Sequence, residues 1–210
     1  MGPVDPQIVA ELYLAFSTEP RPTAIPDADR ELGSAGCRKL LDTPLRELRA
    51  EDLRPYLTGA FFSFGSPKDF VYFLPRLLEI QAISGFTLWS EYLGPKIARA
   101  VWDTLSRAQK AIISCYYADV VGRMLAREHQ TGSELDALLS GTSHFLPGWD
   151  EILRQLANHP PALRALISWF TFGKGQSISL GEFWDDSPRK RDFLQWLTSE
   201  EIQVRAWSEP

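Results

Sequence analysis

Cysteine, histidine and methionine are scarce in this chain, with two Cys, three His and two Met in 210 residues. Two cysteines in unlike contexts, Cys37 in a polar stretch and Cys115 in an apolar one, supply no disulfide framework and point to a reducing, cytoplasmic compartment. The histidines, His129, His144 and His159, recur at even intervals far longer than the single turn that brings two metal-binding histidines onto one helix face. No metal site is expected from them. No run reaches the roughly 18 apolar residues of a membrane span, and the opening MGPVDPQIVAEL has neither a basic n-region nor an apolar h-region. A soluble chain beginning near Met1 is therefore expected. Positive charge is also short: the net charge of −5 and the lack of a concentrated basic face argue against nucleic-acid binding. The one dense basic run, Arg189-Lys190-Arg191, follows Asp185-Asp186 and reads as a solvated helix turn with local ion pairs.

Strand signals are equally sparse, with Gln176 to Leu180 the one short run that qualifies, whereas helical periodicity recurs from end to end. A hydrophobic content of 44% is enough for one substantial core. The expected fold is all-α: a single irregular domain over residues 1–210, with about eight to ten helices around a long central one. Asp5-Pro6 opens the first helix with an N-cap and a first-turn proline, and Ile8, Val9, Leu12, Tyr13 and Phe16 form its apolar stripe. A proline-rich connector occupies 18–28, and a second helix, Asp29 to Leu41, carries a weak spot at Gly33 to Gly36. Ser66-Pro67-Lys68-Asp69 opens a helix that is expected to kink or restart at Pro75. Ser106 and Gln109 form a capping box for the longest helix, to about Glu128, where Ile112/Ile113, Tyr116/Tyr117, Val120/Val121 and Met124/Leu125 recur every four residues. Gly132 reads as a polar break and Ser140 to Ser143 as a loop. Later helices are expected at Trp149 to Asn158, at Pro161 to Phe172, after the capping box Ser179 to Glu182, after Ser187-Pro188, and from Thr198-Ser199-Glu200-Glu201.

The stretch from Pro44 to Glu79 has the most specific wording. Pro44-Leu45-Arg46-Glu47-Leu48 leads to Ala50-Glu51-Asp52-Leu53, then Tyr56 and Gly65, then Asp69-Phe70 and Phe73-Leu74-Pro75-Arg76-Leu77-Leu78-Glu79. On these residues the chain resembles a family of bacterial proteins to which no activity is attached. Members of that family often carry a Pro-Arg-Pro turn followed by a close cysteine pair. This chain keeps Pro20-Arg21-Pro22 but has Cys37 alone nearby, so the resemblance implies no metal or redox role for a pair.

Chemistry-bearing motifs are few. There is no G-x-S-x-G elbow, and Gly173-Lys174-Gly175-Gln176-Ser177 lacks the earlier glycine of a phosphate loop and follows no convincing strand. Cys115, among Ile112, Ile113 and Tyr116, reads as an inert core residue. Asp119 interrupts the apolar periodicity either as a polar position on the outer edge or as a buried acid paired with an arginine. Glu182-Phe183-Trp184-Asp185-Asp186, with Glu200 and Glu201 close behind, also has two readings. In one, Phe183 and Trp184 anchor the core and the acids are solvated. In the other, Glu182, Trp184, Asp185 and Asp186 form an acidic, aromatic-centred patch for a basic protein partner. The functional expectation is a cytoplasmic protein-binding domain, most narrowly an immunity protein neutralising a co-encoded basic toxin, with no cofactor and no enzymatic activity. The alternatives are an enzyme with Asp119, His129, His144 and Asp150 converging on one cleft, and a regulatory or scaffold domain that binds a peptide helix.

Overall fold

The computed structural model describes residues 4–84, 87–129, 131–171, 178, 180 and 184–207, with the backbone alone at 84 and 87–91. The fold is all-α, and eleven α-helices are present among the described residues. They are α1 (Pro6–Ala15), α2 (Ala28–Asp42), α3 (Ala50–Gly59), α4 (Pro67–Ser84), α5 (Thr87–Lys96), α6 (Arg107–Leu125), α7 (Gly132–Ser143), α8 (Trp149–Ala157), α9 (Pro160–Phe170), α10 (Lys190–Thr198) and α11 (Glu200–Trp207). Two compact units can be distinguished within the chain, one made of Gly2–Gly85 and Lys96–Tyr117, the other chiefly of Phe86–Pro95 and Ala118–Pro210. The division falls inside α6, so its two halves belong to different units.

In the first unit the helix starts follow local chemistry. The Asp5 carboxylate accepts the Gln7 amide at 2.9 Å, and Ser106 and Gln109 exchange side-chain and backbone hydrogen bonds at 2.8 and 3.2 Å. Helix α2 bends at Gly33, whose φ of 68° is one that glycine adopts without steric penalty. Helix α4 runs through Pro75 as one element, without the expected restart. Its buried face explains this tolerance: Phe70, Phe73, Leu74, Leu77 and Leu78 are fully enclosed, and about 1.5–3 kcal/mol per side chain offsets one lost backbone hydrogen bond.

The Pro44–Glu79 wording is a packing code. Arg76 in α4 donates through Nε to the Leu48 carbonyl at 2.7 Å and through Nη1 to Glu79 at 2.6 Å. Glu79 also accepts the Tyr13 hydroxyl of α1 at 2.6 Å, while the Arg46 guanidinium lies 4.0 Å from the centre of the Tyr13 ring. A second cluster joins α3 to the start of α4, where Asp69 accepts the Tyr56 hydroxyl and the Ser66 amide, each at 2.8 Å, as well as the Ser66 hydroxyl. Gly65, with φ of 82°, lies against this carboxylate. Burial, then the neighbouring Asp69 charge, drives the Tyr56 phenol well above its ordinary range, so it remains a donor. Asp69→Ala is expected to leave the buried Tyr56 hydroxyl without its acceptor and to lower stability by about 2–4 kcal/mol. Urea unfolding measures the loss, and an unchanged midpoint would remove the cluster from the determinants of the fold.

In the second unit α9 packs against α7, α8 and α11. His159 is its N-cap, with Nδ1 accepting the Ala162 amide at 3.2 Å, and Pro160 follows in the first turn. Arg164 of α9 donates to the Ala206 carbonyl near the end of α11 at 2.9 Å, satisfying one of the carbonyls that a helix end leaves open.

The expected polar break and loop at Gly132 and Ser140–Ser143 are instead the two ends of α7, and residues 140–143 are buried. Their hydroxyls bond within their own helix: Ser140 to Ala137, Thr142 to Leu138 and Ser143 to Ser140 carbonyls, at 3.3, 2.7 and 2.7 Å. Small polar residues thus satisfy themselves and let neighbouring backbone approach closely. Cys115 is a second correction: it is exposed on α6, whereas Cys37 is buried in α2. Its neighbours Ile112, Ile113 and Tyr116 occupy the opposite, buried side of the helix.

Candidate functional site

The C-terminal helices begin from a turn fixed at several points. Trp184 is fully buried, donates its indole N–H to Asp136 at 2.7 Å, and stacks on Phe193 with ring centres 4.3 Å apart and planes 1° from parallel. Asp136 also accepts the Trp169 indole at 3.0 Å. Burial raises the Asp136 carboxyl above its usual range, and the two indole donors work against that shift. Downstream, the Ser187 and Ser143 hydroxyls lie 2.7 Å apart, and Arg189 donates to the Ser143 carbonyl at 2.9 Å.

This arrangement corrects the partner-binding role expected of Trp184: its ring belongs to the core and is not available to a partner. Asp185 and Asp186 are exposed, which both readings of the acids expect, and Lys190 pairs with Asp185 at 2.5 Å. Glu182 lies outside the described residues, as do the expected Ser179–Glu182 capping box, except Leu180, and the Gly173–Ser177 stretch. Of the short strand expected over 176–180, Ile178 and Leu180 are described, and Ile178 forms an isolated bridge with Thr171.

The same unit contains a groove of about 530 Å³. It is formed by α8, α10 and α11, and its lining includes Asp150, Arg154, Asn158, Trp196, Glu201 and Arg205. Trp196 is half-buried and stacked on Phe193, with ring centres 5.8 Å apart, so an aromatic face is held in place in a groove that Leu153, Ala157 and Ile202 line alongside the charged residues. Arg205 bonds Asn158 at 3.3 Å and Glu201 at 2.9 Å, and Arg154 pairs with Glu151. Asp150 connects the groove to the turn, since its charge opposes the lowering of the Arg189 guanidinium by burial. Trp196 is absent from the residues that the sequence singles out. Its position in an amphipathic helix marks it as partly buried, but α8 must converge with the consecutive α10 and α11, much later in the chain, before it borders a groove.

The candidate catalytic residues do not meet in this groove. Asp150 lines it, whereas Asp119, His129 and His144 do not. Asp119 sits on the edge of α6, paired with Arg123 one turn on at 2.6 Å, which combines the outer position with the arginine partner. His129 is exposed beyond α6, and His144 is at the C-cap of α7. Among the described residues, no group of three or more His, Cys, Asp or Glu side chains has a geometry that could hold a metal ion. No described helix is long and apolar enough to cross a membrane. No family model matches the chain, and neither a curated protein nor a solved structure matches it.

Proposed function

We propose that this chain is a protein-binding domain, and more narrowly an immunity protein that neutralises a basic toxin encoded beside it by direct, stoichiometric binding. The observation that carries this reading is the Trp196 groove, in the compact unit that also carries the exposed Asp185-Asp186 turn. An aromatic face fixed in a groove is the kind of anchor that dominates binding energy, because its contact area is large and little side-chain freedom remains to be lost. Exposed acids on a turn already held by Trp184 and Ser187 offer negative charge without an ordering cost. Together with a net charge of −5, they favour fast encounter with a basic partner.

Co-expression with the product of the neighbouring gene tests the proposal. Protection of the host and a stoichiometric complex are expected; neither protection nor complex would refute it. Within such a complex, Trp196→Ala is expected to weaken binding at least about tenfold, mainly through faster dissociation. Reversing Asp185 and Asp186 to Lys is expected to slow association and reduce its salt dependence while leaving the melting temperature within a few degrees. Unchanged affinity for both variants would move the interface elsewhere on the chain.

A further inference from the structure

Lys96 closes α5 and is followed by one π-helical turn, Ile97–Val101. Pro95 precedes it and withholds a backbone N–H from the carbonyl four residues earlier, so the helix changes its hydrogen-bonding pattern at this lysine. The side chain is buried, with Lys96 only 7% exposed. Its Nζ donates to the Ala60 carbonyl and lies 4.4 Å from the centre of the Phe62 ring and 5.7 Å from that of Phe61. Among the described residues no carboxylate pairs with it. A buried ammonium without a counter-charge favours its neutral form, and burial accordingly lowers the Lys96 amine to about 8.

The covering turn is held in an unusual conformation. Phe61 has φ of 66°, in the left-handed region that bulky side chains rarely enter, and its amide donates to the Phe64 carbonyl at 2.9 Å. Phe64 occupies the space a side chain on Gly59 would need. Phe62, at the tip, is 78% exposed although its ring lies beside the Lys96 nitrogen. Exposure of a large aromatic ring beside an enclosed amine leaves a flat apolar face next to a nucleophile.

We propose that Lys96 is a carbonyl-reactive amine that captures aryl aldehydes as an imine beside the Phe61–Phe62 turn. In the capture the neutral Nζ attacks the aldehyde carbon, and a C–N bond forms as the carbonyl π bond opens to a carbinolamine. Loss of the carbinolamine oxygen as water, with the nitrogen giving up its second proton, yields the imine: amine plus aldehyde gives imine plus water, and no oxidant or reductant takes part. The Ala60 carbonyl orients the amine by accepting one of its N–H bonds. Phe62 supplies a stacking surface for the aryl ring, and this surface sets the preference for an aromatic aldehyde over a small aliphatic one.

The test treats the full chain with benzaldehyde and cyanoborohydride at neutral pH, then measures by peptide mass mapping how fast each lysine is benzylated. A neutral amine is about a hundred times more abundant at a pKa near 8 than at an ordinary lysine, so even with restricted access Lys96 is expected to react at least about tenfold faster than exposed Lys39 and Lys68. The preference is expected to disappear in denaturant. Phe62→Ala, at an exposed position with little effect on folding, is expected to lower the benzaldehyde rate at Lys96 severalfold while leaving the formaldehyde rate unchanged. A Lys96 rate no higher than that of Lys39 would overturn the proposal. Equal effects of Phe62→Ala on both aldehydes would overturn the assignment of an aryl substrate.

Discussion

Val120→Asp is expected to leave no cooperatively folded protein at neutral pH. Val120 is fully buried in α6, and the buried face continues through Val121 and Met124. A carboxylate placed there gains no partner by design, and an unpaired buried charge costs several kcal/mol even after the group shifts its own pKa to escape ionisation. A domain of ordinary stability has about 5–15 kcal/mol in total, so this single change consumes a large part or all of it. Val120→Ala provides the control. It removes two methyl groups without adding charge, and it is expected to cost about 1–3 kcal/mol with the fold retained. Circular dichroism together with urea unfolding reads both variants. A soluble Val120→Asp protein with a sharp transition near that of the parent would show that this part of α6 is not a buried element of the core.

Features contained in a three- or four-residue span are legible in the amino-acid sequence alone. Asp5, the Ser106–Gln109 pair, Ser66 with Asp69, and Ser199 before α11 all act on backbone groups within a turn, so a local reading suffices. The apolar pairs of α6 likewise name its buried face. The same pairs leave residues 111, 115, 118 and 122 off that face, and the exposure of Cys115 follows from that periodicity despite its apolar neighbours. Composition misleads at Ser140-Gly141-Thr142-Ser143, because Ser, Thr and Gly are also the residues of loops. Here they form the last turn of a helix, and Gly141 lets the backbone of Gly94, nearly fifty residues earlier, approach closely. Trp184 is ambiguous in sequence for the same reason: Asp136, its hydrogen-bonding partner, is 48 residues away. The groove needs three helices to converge, which no local pattern encodes. The Pro44–Glu79 wording is visible as a pattern, but its physical content, Arg76 reaching Leu48 and Asp69 holding Tyr56, depends on how the helices pack.

Gly94→Ala and Gly122→Ala are expected to change stability in opposite directions. Both glycines lie within helices, and in an open helix interior replacing glycine by alanine gains about 1 kcal/mol through backbone entropy. Gly122 meets that condition: it is exposed, and a methyl group there would find no atom within 4 Å. Its replacement is expected to raise the melting temperature by about 2–4 °C, the shift that roughly 1 kcal/mol produces in a protein of this size. At Gly94 the same methyl group would press into the Gly141 backbone, 2.6 Å from its Cα and closer still to its carbonyl oxygen. Main-chain atoms of a packed helix cannot rotate aside as a side chain can, so α5 or α7 must move and the packing around Leu138 and Leu139 must open. A net loss of about 3 kcal/mol or more is expected despite the gain in helix propensity. The sign therefore reports the close approach: a Gly94→Ala protein more stable than the parent would show that α5 and α7 do not meet at these two glycines. A loss at Gly94 beside a gain at Gly122 would identify Gly141 as a residue selected for the space it leaves, and not for the flexible loop its composition suggests.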